Sequence, residues 1–133
     1  MSLIGQKITV LGAGVAGLAV ARALALRGAQ VVVLEQAAAV AEVGAGLQVS
    51  PNGAVVLDAL GLGDALKAVA LRALAVDLRD GVSGNLVTRL DVGRLAPDQG
   101  YHFVHRADLI EIFRQGAVEA GVELRLNARV LSV

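Results

Sequence analysis

No cysteine and no tryptophan occur among the 133 residues, proline appears twice, and the aromatic share is 2%. Without thiols there is no disulfide framework, thiolate zinc site, protein-ligated iron–sulfur cluster or cysteine nucleophile. A reducing compartment is thereby allowed. Nor is there an excess of either charge: 12 basic side chains face 12 acidic ones, for a formal net charge of +0. Recognition of nucleic acid or of an anionic membrane surface needs clustered Lys and Arg, so neither partner is expected. An uncharged run from Ile8 to Ala21, preceded by Lys7 and closing on Ala19-Val20-Ala21, imitates a secretory leader. Gly12, Gly14 and Gly17 interrupt it, and Arg22 ends it short of the roughly 20 apolar residues a spanning helix needs. A cytoplasmic protein is the expectation.

Apolar residues, chiefly Ala, Val and Leu, do abound, at 56% of the chain. That content excludes disorder, and the length suits one domain or a piece of a larger protein. Lys7 to Leu11 is short, apolar and β-branched, as in a strand buried on both faces. Val15 to Arg27 follows a helical stripe through Leu18, Ala21, Leu24 and Ala25, with Gly28 as its stop. Gln30 to Glu35 is a second apolar strand, which completes a βαβ unit.

Beyond it, Gly44-Ala45-Gly46 reads as a loop, and Ser50-Pro51 opens a helix to about Leu60, with Ser50 as its cap. Gly61 and Gly63 break that helix before a short helical piece from Asp64 to Ala70. Leu74 to Arg79 and Leu86 to Val92 alternate around Asp80-Gly81-Val82-Ser83-Gly84-Asn85 as an antiparallel hairpin. Gly93 to Gly100, containing Pro97, reads as loop and Tyr101 to Val104 as strand. Ala107 to Ala120 is an amphipathic helix closed by Gly121, and Val122 to Leu126 supplies a third parallel strand.

Gly12-Ala13-Gly14-Val15-Ala16-Gly17 lies where the first strand turns into the first helix. The first glycine allows the tight turn, the second lets backbone amides approach a pyrophosphate, and the third permits close helix–strand packing. The phosphates then meet unpaired N–H groups at the positive end of the helix dipole. Glu35 ends the second strand 18 positions after Gly17, where an acid accepts hydrogen bonds from an adenosine ribose and repels the 2′-phosphate of NADP. Dinucleotide binding follows from the order of these parts. The glycines at 44 and 46 suit either backbone recognition of a flat heterocycle such as flavin or a mobile loop. Arg106 suits either a local pair with Asp108 or an anionic ligand. His102 and His105 have no third ligand at a matching spacing and read as ordinary surface or interface histidines.

Four stretches resemble the FAD-dependent aromatic-ring hydroxylases, the group of p-hydroxybenzoate and salicylate hydroxylases. They are residues 8–18, Val31 to Glu35, Gly44-Ala45-Gly46-Leu47-Gln48-Val49-Ser50-Pro51-Asn52, and His105-Arg106-Ala107-Asp108-Leu109. The resemblance implies a Rossmann-like α/β FAD-binding fold with a parallel sheet and an antiparallel hairpin insertion, incomplete without a carboxyl-terminal part. It implies FAD with its pyrophosphate over Gly12, Gly14, Ala16 and Gly17, its AMP ribose on Glu35 beside Gln36, and its adenine near Val130. The isoalloxazine edge would meet the backbone of Gly46 and Leu47, with Arg106 near the ribityl or phosphate portion. Gln36 departs from the basic residue such proteins often carry after the acid, which bears on an adenosine contact only.

The implied reaction is flavin reduction by NAD(P)H, capture of O₂ as a flavin hydroperoxide, and transfer of one oxygen to a small phenolic ring. Residues 1–133 would form the amino-terminal part of the FAD-binding domain, with the substrate domain outside this chain and no catalytic acid or base within it. A second copy or a complementing carboxyl-terminal part is the expected protein partner. A chain ending at Val133 is expected to be poorly soluble, to lack bound flavin, or to need such a complement. The alternatives are a non-catalytic dinucleotide-binding module and a flavin dehydrogenase without oxygen transfer.

Overall fold

A computed structural model describes residues 2–40, 44–95 and 100–132. The chain runs β1 (Lys7–Leu11), α1 (Val15–Ala25), β2 (Gln30–Leu34), β3 (Gly46–Val49), α2 (Pro51–Ala59), α3 (Gly63–Val69), β4 (Leu71–Arg72), β5 (Val76–Arg79), β6 (Leu86–Leu90), α4 (Val92–Leu95), β7 (His102–His105), α5 (Arg106–Glu119) and β8 (Glu123–Arg125). Its strands form a parallel sheet ordered β1-β2-β8, an antiparallel sheet ordered β3-β7-β4, and the separate hairpin β5-β6.

In the parallel sheet Lys7 pairs with Gln30 and Leu11 with Leu34, while β8 lies on the other edge of β2 through Val32 and Glu123. The helical stripe of α1 supplies Leu18 and Ala21, and α5 supplies Ile110, Phe113 and Ala117, all buried in one core with Val31 and Val33. Truncating a side chain such as Phe113 to alanine there costs about 3–5 kcal/mol. Arg22 ties the helices together: its Nε donates to the Leu60 carbonyl at 2.7 Å and its Nη1 donates to the Gly116 carbonyl.

The expectation that the first strand is buried on both faces fails. Leu11 is 49% exposed and Lys7 and Thr9 are exposed too, because β1 has a partner on one edge only and the core lies on one side of the sheet. Helix α1 stops at Ala25, two residues early, where Arg27 and Gly28 donate to Leu24 and Ala25 in a tightened last turn. Gly28 takes the left-handed φ of +94° that turns the chain back into β2.

The middle of the chain departs further. Residues 46–49, assigned in part to a loop, form β3 against β7, and the two-residue β4 lies on the other side of β7. Ser50 occupies the N-cap position of α2 and Pro51 its first turn, but the Ser50 hydroxyl donates to Asn52 Oδ1 instead of accepting a helix amide. Val92–Leu95 is a short helix in place of the end of a strand and the start of a loop. Pro97 and the end of the chain at Val133 lie outside the described residues. The hairpin forms within the expected ranges, its turn closed by Asp80 Oδ1, which accepts from the amides of Val82 and Ser83 at 3.2 and 2.6 Å.

Candidate cofactor cleft

The glycine turn begins with Gly12, whose φ of +92° few side chains tolerate and whose amide donates to the Leu34 carbonyl at 2.8 Å. A Cβ on Gly17 would stand 2.0 Å from the Gly12 carbonyl oxygen, so only glycine lets α1 start this close to the turn. Gly14 differs from both. It is the N-cap of α1 with φ −75°, and a Cβ built on it meets nothing within 4 Å. No side chain caps this helix and no acid sits in its first turn, so the amides near Gly14 and Ala16 face an open approach with a positive potential. That arrangement fits a diphosphate.

Glu35 closes the other side. Its Oε2 accepts the Ala13 amide at 2.7 Å and its Oε1 accepts the Ala37 amide at 2.8 Å. These bonds, the one from Ala13 first and the one from Ala37 next, hold the carboxyl below its usual pKa, so it stays ionised. The backbone of Glu35 is held as well, its amide by the Arg125 carbonyl and its carbonyl by the Ala128 amide, both at 2.8 Å. Each carboxylate oxygen retains a lone pair for a further donor such as a sugar hydroxyl.

Glu35 stands between two cavities. One, of about 340 Å³, is lined by Leu11, Gly12, Leu34, Glu35, Gln36 and Val130 among others. The other, of about 200 Å³, is lined by Ala13, Gly14, Glu35, Ala37, Val40 and Ile110 among others. The structure therefore places Gly12, Gln36 and Val130 on one cavity and Gly14 on the other, with Glu35 common to both, at the carboxyl ends of parallel strands, the place where open α/β sheets bind ligands.

Gly46, Leu47 and Arg106 form a second group. Gly46 pairs with His105 and Leu47 with Val104, and the Arg106 amide donates to the Ala45 carbonyl at 3.4 Å. A Cβ on Gly44 would lie 3.7 Å from Arg106 Cδ. Ile110 lines the cavity beside Gly14 and lies four residues after Arg106 on α5, about 6 Å further along the axis, while Gly46, Leu47 and Arg106 line neither cavity. Sequence reasoning missed Ile110 and the grip of Glu35 on Ala13. The four-residue spacing from Arg106 was the available signal for the first.

His102 is buried with its Nδ1 unpartnered among the described residues, which corrects its reading as a surface or interface histidine. Burial lowers its pKa, and Arg72 and Lys67 act in the same direction. Among the described residues no group of three or more His, Cys, Asp or Glu stands together to hold a metal ion, and no helix is long and apolar enough to cross a membrane.

A strand, a glycine turn, a helix and a second strand ending in an anchored acid, beside an open crevice, define an α/β dinucleotide-binding domain. The chain belongs to the FAD binding domain family, whose model matches residues 6–133, and FAD is the cofactor of that family. It is 42% identical over 128 residues to a 3-amino-4-hydroxybenzoate 2-monooxygenase of Streptomyces cremeus, covering 93% of this chain and 32% of that protein. Identity to a 3-hydroxybenzoate 6-hydroxylase of Polaromonas naphthalenivorans is 38% over 130 residues, covering 95% and 32%. Among solved structures, p-nitrophenol 4-monooxygenase PnpA of Pseudomonas putida superposes with a TM-score of 0.83 at 27% identity, over 96% of this chain and 33% of that one. The tetrameric form of 2-methyl-3-hydroxypyridine-5-carboxylic acid oxygenase superposes at 0.87 with 23% identity, over 96% and 33%, which shows a shared fold. The chain spans about a third of the length of the relatives it matches.

Proposed function

We propose that this chain is the amino-terminal FAD-binding part of an NAD(P)H-dependent monooxygenase that hydroxylates small phenolic rings. The observation that carries the reading is the ionised Glu35 carboxylate, pinned by two amides at the junction of two cavities and facing the uncapped start of α1. Glu35 would hold the AMP ribose, with Gln36 and Val130 along the adenosine cavity. Backbone amides from Gly12 to Gly17, Ala16 included, would take the pyrophosphate. Gly46 and Leu47 would present backbone groups to the edge of the ring system, and Arg106 a cation to the ribityl or phosphate portion.

When bound, FAD supplies the redox chemistry, taking a hydride from NAD(P)H and activating O₂ so that one oxygen atom enters the ring and the other leaves as water. What this chain contributes is binding and orientation. The names of the relatives support the aromatic substrate class, since the two most similar above act on hydroxybenzoates by name. Their length supports a substrate-binding part outside residues 1–133, and a second copy or that further part is the protein partner.

The test is a flavin titration followed by product analysis. The enzyme containing this part binds FAD with a perturbed flavin spectrum, while its Gly14→Val variant, whose side chain points into open space, folds normally and binds more than about 100-fold more weakly. Equal FAD affinity in the two proteins overturns the cofactor assignment. In the enzyme containing this part, NAD(P)H oxidation with a panel of phenols yields hydroxylated product. Oxidation without product identifies a flavin dehydrogenase, and intact FAD with no oxidation a non-catalytic module.

A further inference from the structure

Only three aromatic side chains occur in the chain, one Tyr and two Phe. Phe113 is in the core, and the other two sit together on the outer face of the β3-β7-β4 sheet. Directly opposed residues of an antiparallel pair share a face. Phe103 pairs with Gln48 on one side and with Leu71 on the other, so Gln48, Phe103 and Leu71 make one row across three strands. The opposite face carries the buried Val49, His102 and Val104. On the outer face Phe103 is 37% exposed and Leu71 75%.

Tyr101 completes the row. Its ring meets that of Phe103 edge to face, with centroids 6.2 Å apart at 68°, and its hydroxyl donates to Gln48 Oε1 at 2.7 Å. That bond fixes the Gln48 amide, whose NH₂ has no partner among the described residues. The next row along the strands is Gly46 and His105, two residues or about 7 Å away. The aromatic row thus adjoins the strand end that the proposed function assigns to the flavin ring system.

We propose that Gln48, Leu71, Tyr101 and Phe103 form one wall of the binding site for the aromatic substrate. Phe103 and Tyr101 offer a ring edge and face, Leu71 an apolar flank, and the Gln48 amide a donor to a phenolic or carboxylate oxygen. A flat ring bearing such an oxygen matches this wall. The inference rests on the proposed function, because it takes Gly46 to mark the flavin end.

The enzyme containing this part, isotope-labelled and loaded with FAD, is titrated with 3-hydroxybenzoate and followed by NMR. The expected result is saturable shifts of the Gln48, Leu71, Tyr101 and Phe103 amides. In Phe103→Leu and in Gln48→Leu binding weakens about 10-fold, while FAD affinity stays the same. In the enzyme containing this part, the same substitutions raise KM by a similar factor with kcat little changed. FAD binding without any saturable shift in these residues, or with shifts that survive both substitutions, overturns the wall and leaves the cofactor reading standing. Failure of the unmodified enzyme to bind FAD overturns that reading and the wall with it.

Discussion

The β1-α1-β2 crossover is made of short, mostly apolar strands and the β5-β6 hairpin of short alternating ones, and they end in opposite environments. Val31 and Val33 are 3% and 0% exposed, whereas Leu78 and Leu90 are 58% and 51% exposed. In the crossover, α1 and α5 lie over the sheet and the strand side chains enter a shared core. In the hairpin, Val76 faces Leu90 and Leu78 faces Thr88 on one apolar face, and every residue of β6 is exposed. Turn chemistry at Asp80 is enough to bring two strands together, but burial needs a second layer. One region derives its stability from tertiary packing, the other from its turn, its ladder and the cross-strand pair of Arg89 with Asp77.

The sharpest way to break this contrast is at Gly17. Alanine normally stabilises a helix relative to glycine by about 0.5–1 kcal/mol. Here the added Cβ would collide with the Gly12 carbonyl, so Gly17→Ala is expected to destabilise by about 3 kcal/mol or more. A thermal or denaturant melt decides it, and a gain in stability would show that the turn and helix are not in contact.

Next in size is Glu35→Ala. It removes a charge-assisted acceptor worth about 1.5–3 kcal/mol, so FAD binding weakens by about 10- to 100-fold. It also frees the Ala13 amide and thereby loosens the turn. Glu35→Gln keeps one acceptor oxygen and should lose less of both, as flavin titration and melting will show. The pH dependence has a definite sign. The Glu35 carboxyl is more acidic in the fold than its ordinary value of 4.5, so its contribution is complete above that value and is lost as the pH falls through the lower, folded one. A melt that is insensitive to acid in wild type, or equally sensitive in Glu35→Gln, would contradict this.

The hairpin gives smaller numbers. In the chain as it stands, Leu78→Thr with Leu90→Thr should change stability by less than about 0.5 kcal/mol, because neither side chain is buried. Light scattering should show less self-association at the same time. A loss of several kcal/mol would mean that this face is covered by protein in solution. Smallest is Glu111→Gln on α5. Its carboxyl is bonded by Arg114 and pulled down to about 2, but both side chains are partly exposed, Arg114 at 35% and Glu111 at 43%. A loss of about 0.3–0.5 kcal/mol at neutral pH is expected, vanishing as the pH falls toward that value.

How much of this was legible in the sequence varied with the range of the forces involved. The crossover, its glycines and Glu35 could be read because each element carries its own periodicity and punctuation: a β-branched run, a helical stripe, Gly28 at a left-handed turn. Strands β3 and β4 could not, since four and two residues hold little pattern of their own and become strands through hydrogen bonds to β7, 30 or more positions away. Ser50 stands at a cap position, yet Asn52 two residues on takes its hydroxyl. Exposure of β1 was invisible too, because a continuous apolar run records what a strand prefers and says nothing of whether a neighbour arrives.

By itself the sequence determined the local geometry: where the backbone turns left-handed, which segment is helix, and that an acid follows the second strand. Tertiary structure alone decided that Glu35 grips the Ala13 amide, that Ile110 lines the cavity beside the glycine turn, and that Gln48, Tyr101 and Phe103 share one face. The division has a physical cause. Torsional and capping preferences act within a few residues and are written in their order, while convergence of distant side chains depends on how whole elements pack, and packing is a property of the assembled layers.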